Sequence, residues 1–293
     1  MSPPPLTPDE DRGLSADWEQ ALDELTHDLP DTVADRSRAL PADAADGDPD
    51  GGPPTGPAAD TYWALSRTPL TSLAFTLPLV LAYEGGVLLL GRGSPRNGAD
   101  VWLRQLLDSL GFGEYFLLPA LTIVGLLAWH HLQHDRWRFS PAVLLGMCLE
   151  CLVLAAVLVG LARLQNRFWP LVSPGPPLLL QGPPGGLFAR FVGFCGAGLY
   201  EEVLFRLLLL PAVAWACRRL GAAPAAAWAW AVVGTSLMFA AAHYVGPLGD
   251  TLDLHSFAFR TLAGIFFATL FLVRGFGIAA GTHAVYDIIV GLL

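Results

Sequence analysis

From Leu70 to the C-terminus, apolar stretches of about twenty residues alternate with short polar joints. That rhythm leaves few folds open. A helix of ~20 apolar residues crosses the hydrocarbon core of a bilayer, and only helices and closed barrels satisfy their backbone groups there. The stretches run about Leu70–Leu90, Phe112–His131, Pro141–Leu164, Phe188–Trp215, Ala223–Val245, Phe257–Val273 and Phe276–Leu293. They predict an all-α, polytopic integral membrane bundle of about seven transmembrane helices. Composition agrees: 53% of residues are hydrophobic and 15% charged, where a soluble domain carries ~25% charge. An amphipathic stretch with Val101, Leu103, Leu106, Leu107 and Leu110 is expected to lie in the membrane interface. Arginines are nearly balanced between alternate loops, so the positive-inside rule leaves the orientation open. No internal repeat is visible.

The net charge of −9 is unevenly placed. Residues 1–60 hold 15 acids against 3 arginines, net −12, and the rest of the chain is net +3. Rich in Pro, Asp, Ala and Gly, this segment cannot bury a core and reads as a disordered acidic tail. Within it Ser15 to Leu29 has helical spacing and can form a short amphipathic helix; its partner is unknown. No basic-then-apolar leader precedes the tail, so no cleavable signal peptide is expected. The chain divides into the tail (1–60), an N-terminal transmembrane part (61–186) and a C-terminal transmembrane core (187–293). Nothing in it suggests nucleic-acid binding.

The fourth stretch contains Glu201, Glu202 and Arg206 among Leu, Val, Phe and Gly. Charges at that depth are expensive and mark function or partners. Glu202 and Arg206 stand four apart on a helix and can pair, whereas Glu201 points about 100° away. The fifth stretch ends in Phe239-Ala-Ala-Ala-His243, and the seventh contains His283 and Asp287 on one helix face. Small residues around both histidines permit close helix approach. Carboxylates and imidazoles in one pocket suit the activation of water: Glu201 as general base, His243 orienting the water or donating to an oxyanion, and Asp287 fixing the tautomer of His283. No Gly-x-Ser-x-Gly, phosphate loop or His-Glu-x-x-His is present. A zinc site built from Glu201, His243 and His283 is the chemical alternative, and a purely structural role for the polar residues is the other.

Further polar residues stay open. Glu84 and Glu150 can line the same cavity or form structural pairs. His130, His131 and His134 beside Asp135 can bind metal or cap a helix at the membrane surface. Cys148 and Cys151 have a redox spacing but sit among apolar residues, as small packing groups do.

Glu-Glu-x-x-x-Arg, Phe-x-x-x-His and His-x-x-x-Asp, in that order on successive apolar helices, resemble the CPBP family: the CAAX prenyl endopeptidases with their bacteriocin-processing and Abi relatives. The resemblance covers about Phe188 to Leu293. It implies an intramembrane glutamic endopeptidase of a bacterial plasma membrane, without cofactor, acting on a peptide or lipidated protein substrate amid membrane lipids. It implies that Glu201 activates water, that Glu202 and Arg206 support it, and that His243 and residue 287 hold the water or oxyanion with His283 in the same pocket. The departure is at 287, where the CAAX enzymes carry Asn; a neutral amide can donate to an oxyanion and an ionised Asp cannot. A non-catalytic scaffold or immunity-type protein shares the family. A proton-coupled transporter would also bury acids and histidines, but the matching interrupted helices of such folds are missing.

Overall fold

The computed structural model describes residues 61–91, 96–113, 116–133, 137–138, 140–169, 186–246 and 249–292. The acidic tail, with the helix expected from Ser15 to Leu29, lies outside them. So do His134, Asp135 and Arg136.

Within those residues the chain is helical and contains no strand. The helices are α1 (Tyr62–Leu65), α2 (Pro69–Leu90), α3 (Gly98–Ser109), α4 (Leu117–Leu132), α5 (Pro141–Phe168), α6 (Leu187–Gly196), α7 (Leu210–Arg219), α8 (Pro224–Ala242), α9 (Leu254–Arg274) and α10 (Phe276–Leu292). Prolines open α2, α5 and α8, where their missing N–H has no partner to lose. Among the described residues, four helices are long and apolar enough to cross a membrane: α2, α5, α8 and α9. Helices α4 and α10 are apolar but shorter. The fourth stretch is not one regular α-helix. Between α6 and α7 the backbone widens into two π-helical segments, Ala197–Glu201 and Val203–Leu209, with Glu202 between them.

The outer faces are apolar. Leu145, Leu149, Val153 and Val157 of α5, Leu81 and Leu88 of α2, and Trp230 and Leu237 of α8 are all exposed. Patches of that kind on a soluble protein drive association; on these helices they form the lipid-facing surface of a multi-pass membrane protein. The interior is built from α2, the π segments and α10, with Tyr83, Leu199, Tyr200, Phe276 and Ala280 in one cluster. Helix α10 also packs along α5 and α9. The two transmembrane parts expected from sequence are therefore interleaved. Helix α3 buries Ala99, Asp100 and Leu103 against the bundle and leaves Leu106 and, at its C-terminal end, Leu110 exposed; Asp100 accepts from Tyr83 of α2 and from Arg96 and Arg104.

Glu150 is a structural partner. Its carboxylate accepts from both Arg274 Nε at 2.6 Å and Arg274 Nη2 at 2.8 Å, and from the Tyr62 hydroxyl. The guanidinium also lies over the Trp63 ring, 4.1 Å from its centroid. This knot ties α1, α5 and α9 together at one end of the bundle.

Candidate active site

The site forms where the π segments meet α3, α8, α9 and α10. A π turn carries an extra residue and re-aims side chains, and such turns occur often at functional sites. Pro211 gives a local reason for the second segment. It follows Leu210 in one unbroken helical run, and its ring clashes with the carbonyl four residues back in a regular helix. The wider turn over Val203–Leu209 makes room. Gly198 gives the reason for the close approach of α10: a Cβ there would stand 2.6 Å from both the backbone N and the Cβ of Ala284. Only glycine lets the two backbones meet, and His283 is the residue before Ala284.

Adjacent carboxylates take opposite roles. Glu202 is fully buried. Its Oε1 lies 3.1 Å from Arg206 Nη1 and accepts a 2.7 Å hydrogen bond from His283 Nδ1. Arg206 donates from Nη2 to the Gly264 carbonyl at 3.2 Å, and its guanidinium sits 4.5 Å from the Phe239 ring centroid. The Glu202–Arg206 pair expected from spacing is thus present, with added support from α8 and α9. The bond to His283 Nδ1 comes from Glu202 and not from Asp287, which was expected to set that tautomer. Asp287 Oδ2 instead faces His283 Nε2 at 3.6 Å.

Glu201 points the other way. Its Oε1 accepts a 2.8 Å hydrogen bond from Asn97 Nδ2, at the N-terminus of α3. Its Oε2 is buried without a hydrogen-bond partner, 4.0 Å from His243 Nε2 and 3.8 Å from His283 Nε2. Those gaps are too long for direct hydrogen bonds. His243 caps α8 and its Nδ1 donates to the Phe239 carbonyl at 2.8 Å. That bond puts the lone pair of the neutral ring on Nε2, facing Glu201. Residual exposure divides the residues into two shells. The Glu201, His243 and Asp287 side chains keep 13%, 27% and 22% of their surface, while Glu202 and Arg206 keep at most 2%.

Three contributors were not singled out from the sequence. Asn97 lies in a loop with no periodic signal. Phe267 of α9 stacks on the His283 ring with centroids 4.4 Å apart, yet in sequence it is one apolar residue among many. Gly264 supplies only a carbonyl. Glu84 stands one step from the pocket: it accepts from Arg104 Nη2 at 2.9 Å and from the Tyr200 hydroxyl at 2.6 Å. Of the histidine cluster, His130 is buried with its ring edge-on to Trp137. Among the described residues no three His, Cys, Asp or Glu side chains are drawn together closely enough to hold a metal ion. An open apolar groove of about 450 Å³ lies between α3, the second π segment and the end of α8, lined by Trp102, Leu103, Phe205, Met238 and Ala242 among others, with none of the polar site residues in its wall.

The three motifs and this geometry fall inside a segment with known relatives. Residues 183–289 match the family model described as type II CAAX prenyl endopeptidase Rce1-like. The match spans a little over a third of the chain and agrees with the resemblance to the CPBP family. At the level of family, that segment is similar to CAAX-protease-like membrane endopeptidases. It contains Glu201, Glu202, Arg206, His243, His283 and Asp287 but not Asn97 or Glu84. Comparison with curated proteins and with solved structures finds no match.

Proposed function

We propose that the protein is an intramembrane endopeptidase that hydrolyses a peptide bond of a membrane-associated substrate with water activated by Glu201. The observation that carries this reading is the buried, unpartnered Oε2 of Glu201, which faces two imidazole nitrogens at 4.0 and 3.8 Å. Water held there loses a proton to Glu201 Oε2 as its oxygen attacks the substrate carbonyl carbon. The carbonyl π electrons move onto oxygen, and the oxyanion needs a donor. His243, with Nδ1 held on the Phe239 carbonyl, accepts from the water at Nε2 and orients it; that nitrogen donates to the oxyanion only once the ring has taken up a second proton. When the tetrahedral intermediate collapses, the C–N bond breaks and the proton on Glu201 passes to the leaving amine. His283, held by Glu202 and stacked on Phe267, keeps the opposite wall of the pocket fixed. Asp287 contributes charge beside His283 Nε2 and does not serve as the oxyanion donor while ionised.

The apolar groove between α3 and the end of α8 suits the apolar part of a lipidated or transmembrane peptide. The bundle crosses the membrane about seven times in this reading. The short α4 and α10, and the unbroken helical run from Leu187 to Arg219, join the four longer helices; the 33 residues of that run rise roughly 50 Å at ~1.5 Å per residue. The membrane is a bacterial plasma membrane.

One observation favours a second reading, a zinc-dependent protease. Both histidines use Nδ1 as a donor, to Phe239 and Glu202, which is the arrangement of histidines that ligate metal through Nε2. In that case Glu201, His243 and His283 would have to draw in to ~2.0–2.2 Å from the ion. The experiment is cleavage of quenched lipidated and transmembrane peptides by purified protein in liposomes, with and without chelator, for wild type and His243→Ala. Cleavage that the variant loses and the chelator leaves untouched supports glutamate-activated water. Loss on chelation with recovery in zinc moves the site to the metal reading. Folded wild type that cleaves no peptide favours a scaffold.

A further inference from the structure

Asn97 lies outside the Rce1-like segment, yet its side chain donates a direct hydrogen bond to the Glu201 carboxylate. Both ends of its amide are engaged. Oδ1 accepts from the Ala99 N–H at 2.9 Å, capping α3, and this assigns Nδ2 as the donor to Glu201 Oε1. Its backbone is anchored as well: the Asn97 N–H donates to the Tyr83 hydroxyl oxygen at 3.1 Å. Tyr83 in turn donates to Asp100 Oδ2 at 2.8 Å, and Asp100, fully buried, also accepts from Arg96 at 2.6 Å and Arg104 at 2.5 Å. Arg104 reaches on to Glu84, which accepts from Tyr200, the neighbour of Glu201. The chain of bonds leaves Glu201 through Asn97 and returns to its adjacent residue, tying α2, α3 and the first π segment into one frame.

A carboxylate on a flexible stem has two equivalent oxygens and can rotate to meet either histidine directly. A fixed donor on Oε1 removes that choice and leaves Oε2 as the oxygen presented to water. We propose that Asn97 is a positioning residue that selects and aims the reactive oxygen of Glu201, with the α2–α3 network as its mount. The proposal rests on the glutamate-activated-water reading.

The cap and the positioning role separate by substitution. Ser and Asp both cap helices about as well as Asn, so Asn97→Ser and Asn97→Asp keep α3 while removing the amide donor; Asn97→Asp also sets a second carboxylate against Glu201. Misplacement of a reacting group by about 1 Å can cost ~100-fold. Peptide cleavage is measured for wild type, Asn97→Ser, Asn97→Asp and Glu201→Gln, with thermal unfolding of each. Expected for Asn97→Ser is a fall in kcat of roughly 100-fold at nearly unchanged KM and unfolding temperature, with Asn97→Asp falling at least as far. Wild-type kcat in Asn97→Ser, while Glu201→Gln is inactive, overturns the proposal and leaves the glutamate reading intact. Cleavage by Glu201→Gln at the wild-type rate sinks that reading instead. A cycle of Asn97→Ser, Glu201→Ala and the double variant, read by unfolding temperature, needs no activity. Shifts that fail to add show that Asn97 holds Glu201; shifts that add overturn the proposal.

Discussion

Arg206 is a full-length cation with almost no solvent contact, and its neighbours explain how it is tolerated. Glu202 supplies the countercharge, Gly264 a carbonyl, and Phe239 a ring face. Breaking a buried pair from one side leaves an uncompensated charge and typically costs ~3–5 kcal/mol, whereas replacing both partners by apolar groups is often neutral. Glu202→Gln should therefore lower the unfolding free energy in detergent by about 3 kcal/mol or more, and Glu202→Gln with Arg206→Met should recover much of that loss. Equal destabilisation by the single and double variants would show that the carboxylate serves His283 more than Arg206. The residues of this knot were legible because charges inside apolar stretches stand out. Their pairing was legible only where both partners share a helix: Glu202 with Arg206 follows from spacing, but the Glu202 bond to His283 spans 81 positions. Asn97 stands 104 positions from its carboxylate and signals nothing by itself.

At the scale of the element, two π segments flank Glu202, the first ending on Glu201. The sequence shows an apolar stretch with Pro211 near its end, and regular helical spacing already separates Glu201 from Glu202. It does not show that the backbone widens on both sides of Glu202, because the cause lies partly in packing against α10. Gly198 is the test of that packing. Gly198→Ala drives a Cβ into Ala284 of the helix that carries His283; overpacking of this kind costs ~1–3 kcal/mol, and cleavage should fall as His283 moves away from Glu201. Gly85→Ala is the control, since its Cβ would meet nothing within 4 Å and removing a mid-helix glycine stabilises by roughly 0.5–1 kcal/mol. Thermal unfolding and cleavage measured on both variants check this; matching behaviour of the two would mean that contact with α10 does not set the site. Helix α3 makes the same point. Its apolar residues predict an interfacial helix, and Asp100 with its partners adds that one face is docked beside the pocket.

For the whole molecule, membrane residence follows from where the apolar surface is. Leu149, Val153 and Val157 of α5 are exposed among the described residues, which suits a face turned to lipid. Arginine at the centre of a span costs ~2.5–3.5 kcal/mol on insertion scales. Val153→Arg should reduce membrane insertion of α5 accordingly in a translocation assay, and undiminished insertion would place α5 outside the bilayer. The alternation of apolar stretches was enough to read this class of fold. It was not enough to read the interleaving of N-terminal and C-terminal helices, since α2 and α10 meet through small residues and aromatic edges that any membrane helix can carry.

The central claim is that one carboxylate, Glu201, generates the nucleophile. Its most direct test is single-turnover cleavage of a membrane peptide by purified Glu201→Gln, alongside wild type and Glu150→Gln, whose carboxylate belongs to the distant knot with Arg274. Gln keeps the size of the side chain and the acceptor for Asn97 but cannot take a proton from water. The account predicts cleavage by wild type and by folded Glu150→Gln, and a loss in Glu201→Gln of at least ~100-fold, the low end of what a general base contributes. Cleavage by Glu201→Gln within a few-fold of wild type would contradict it.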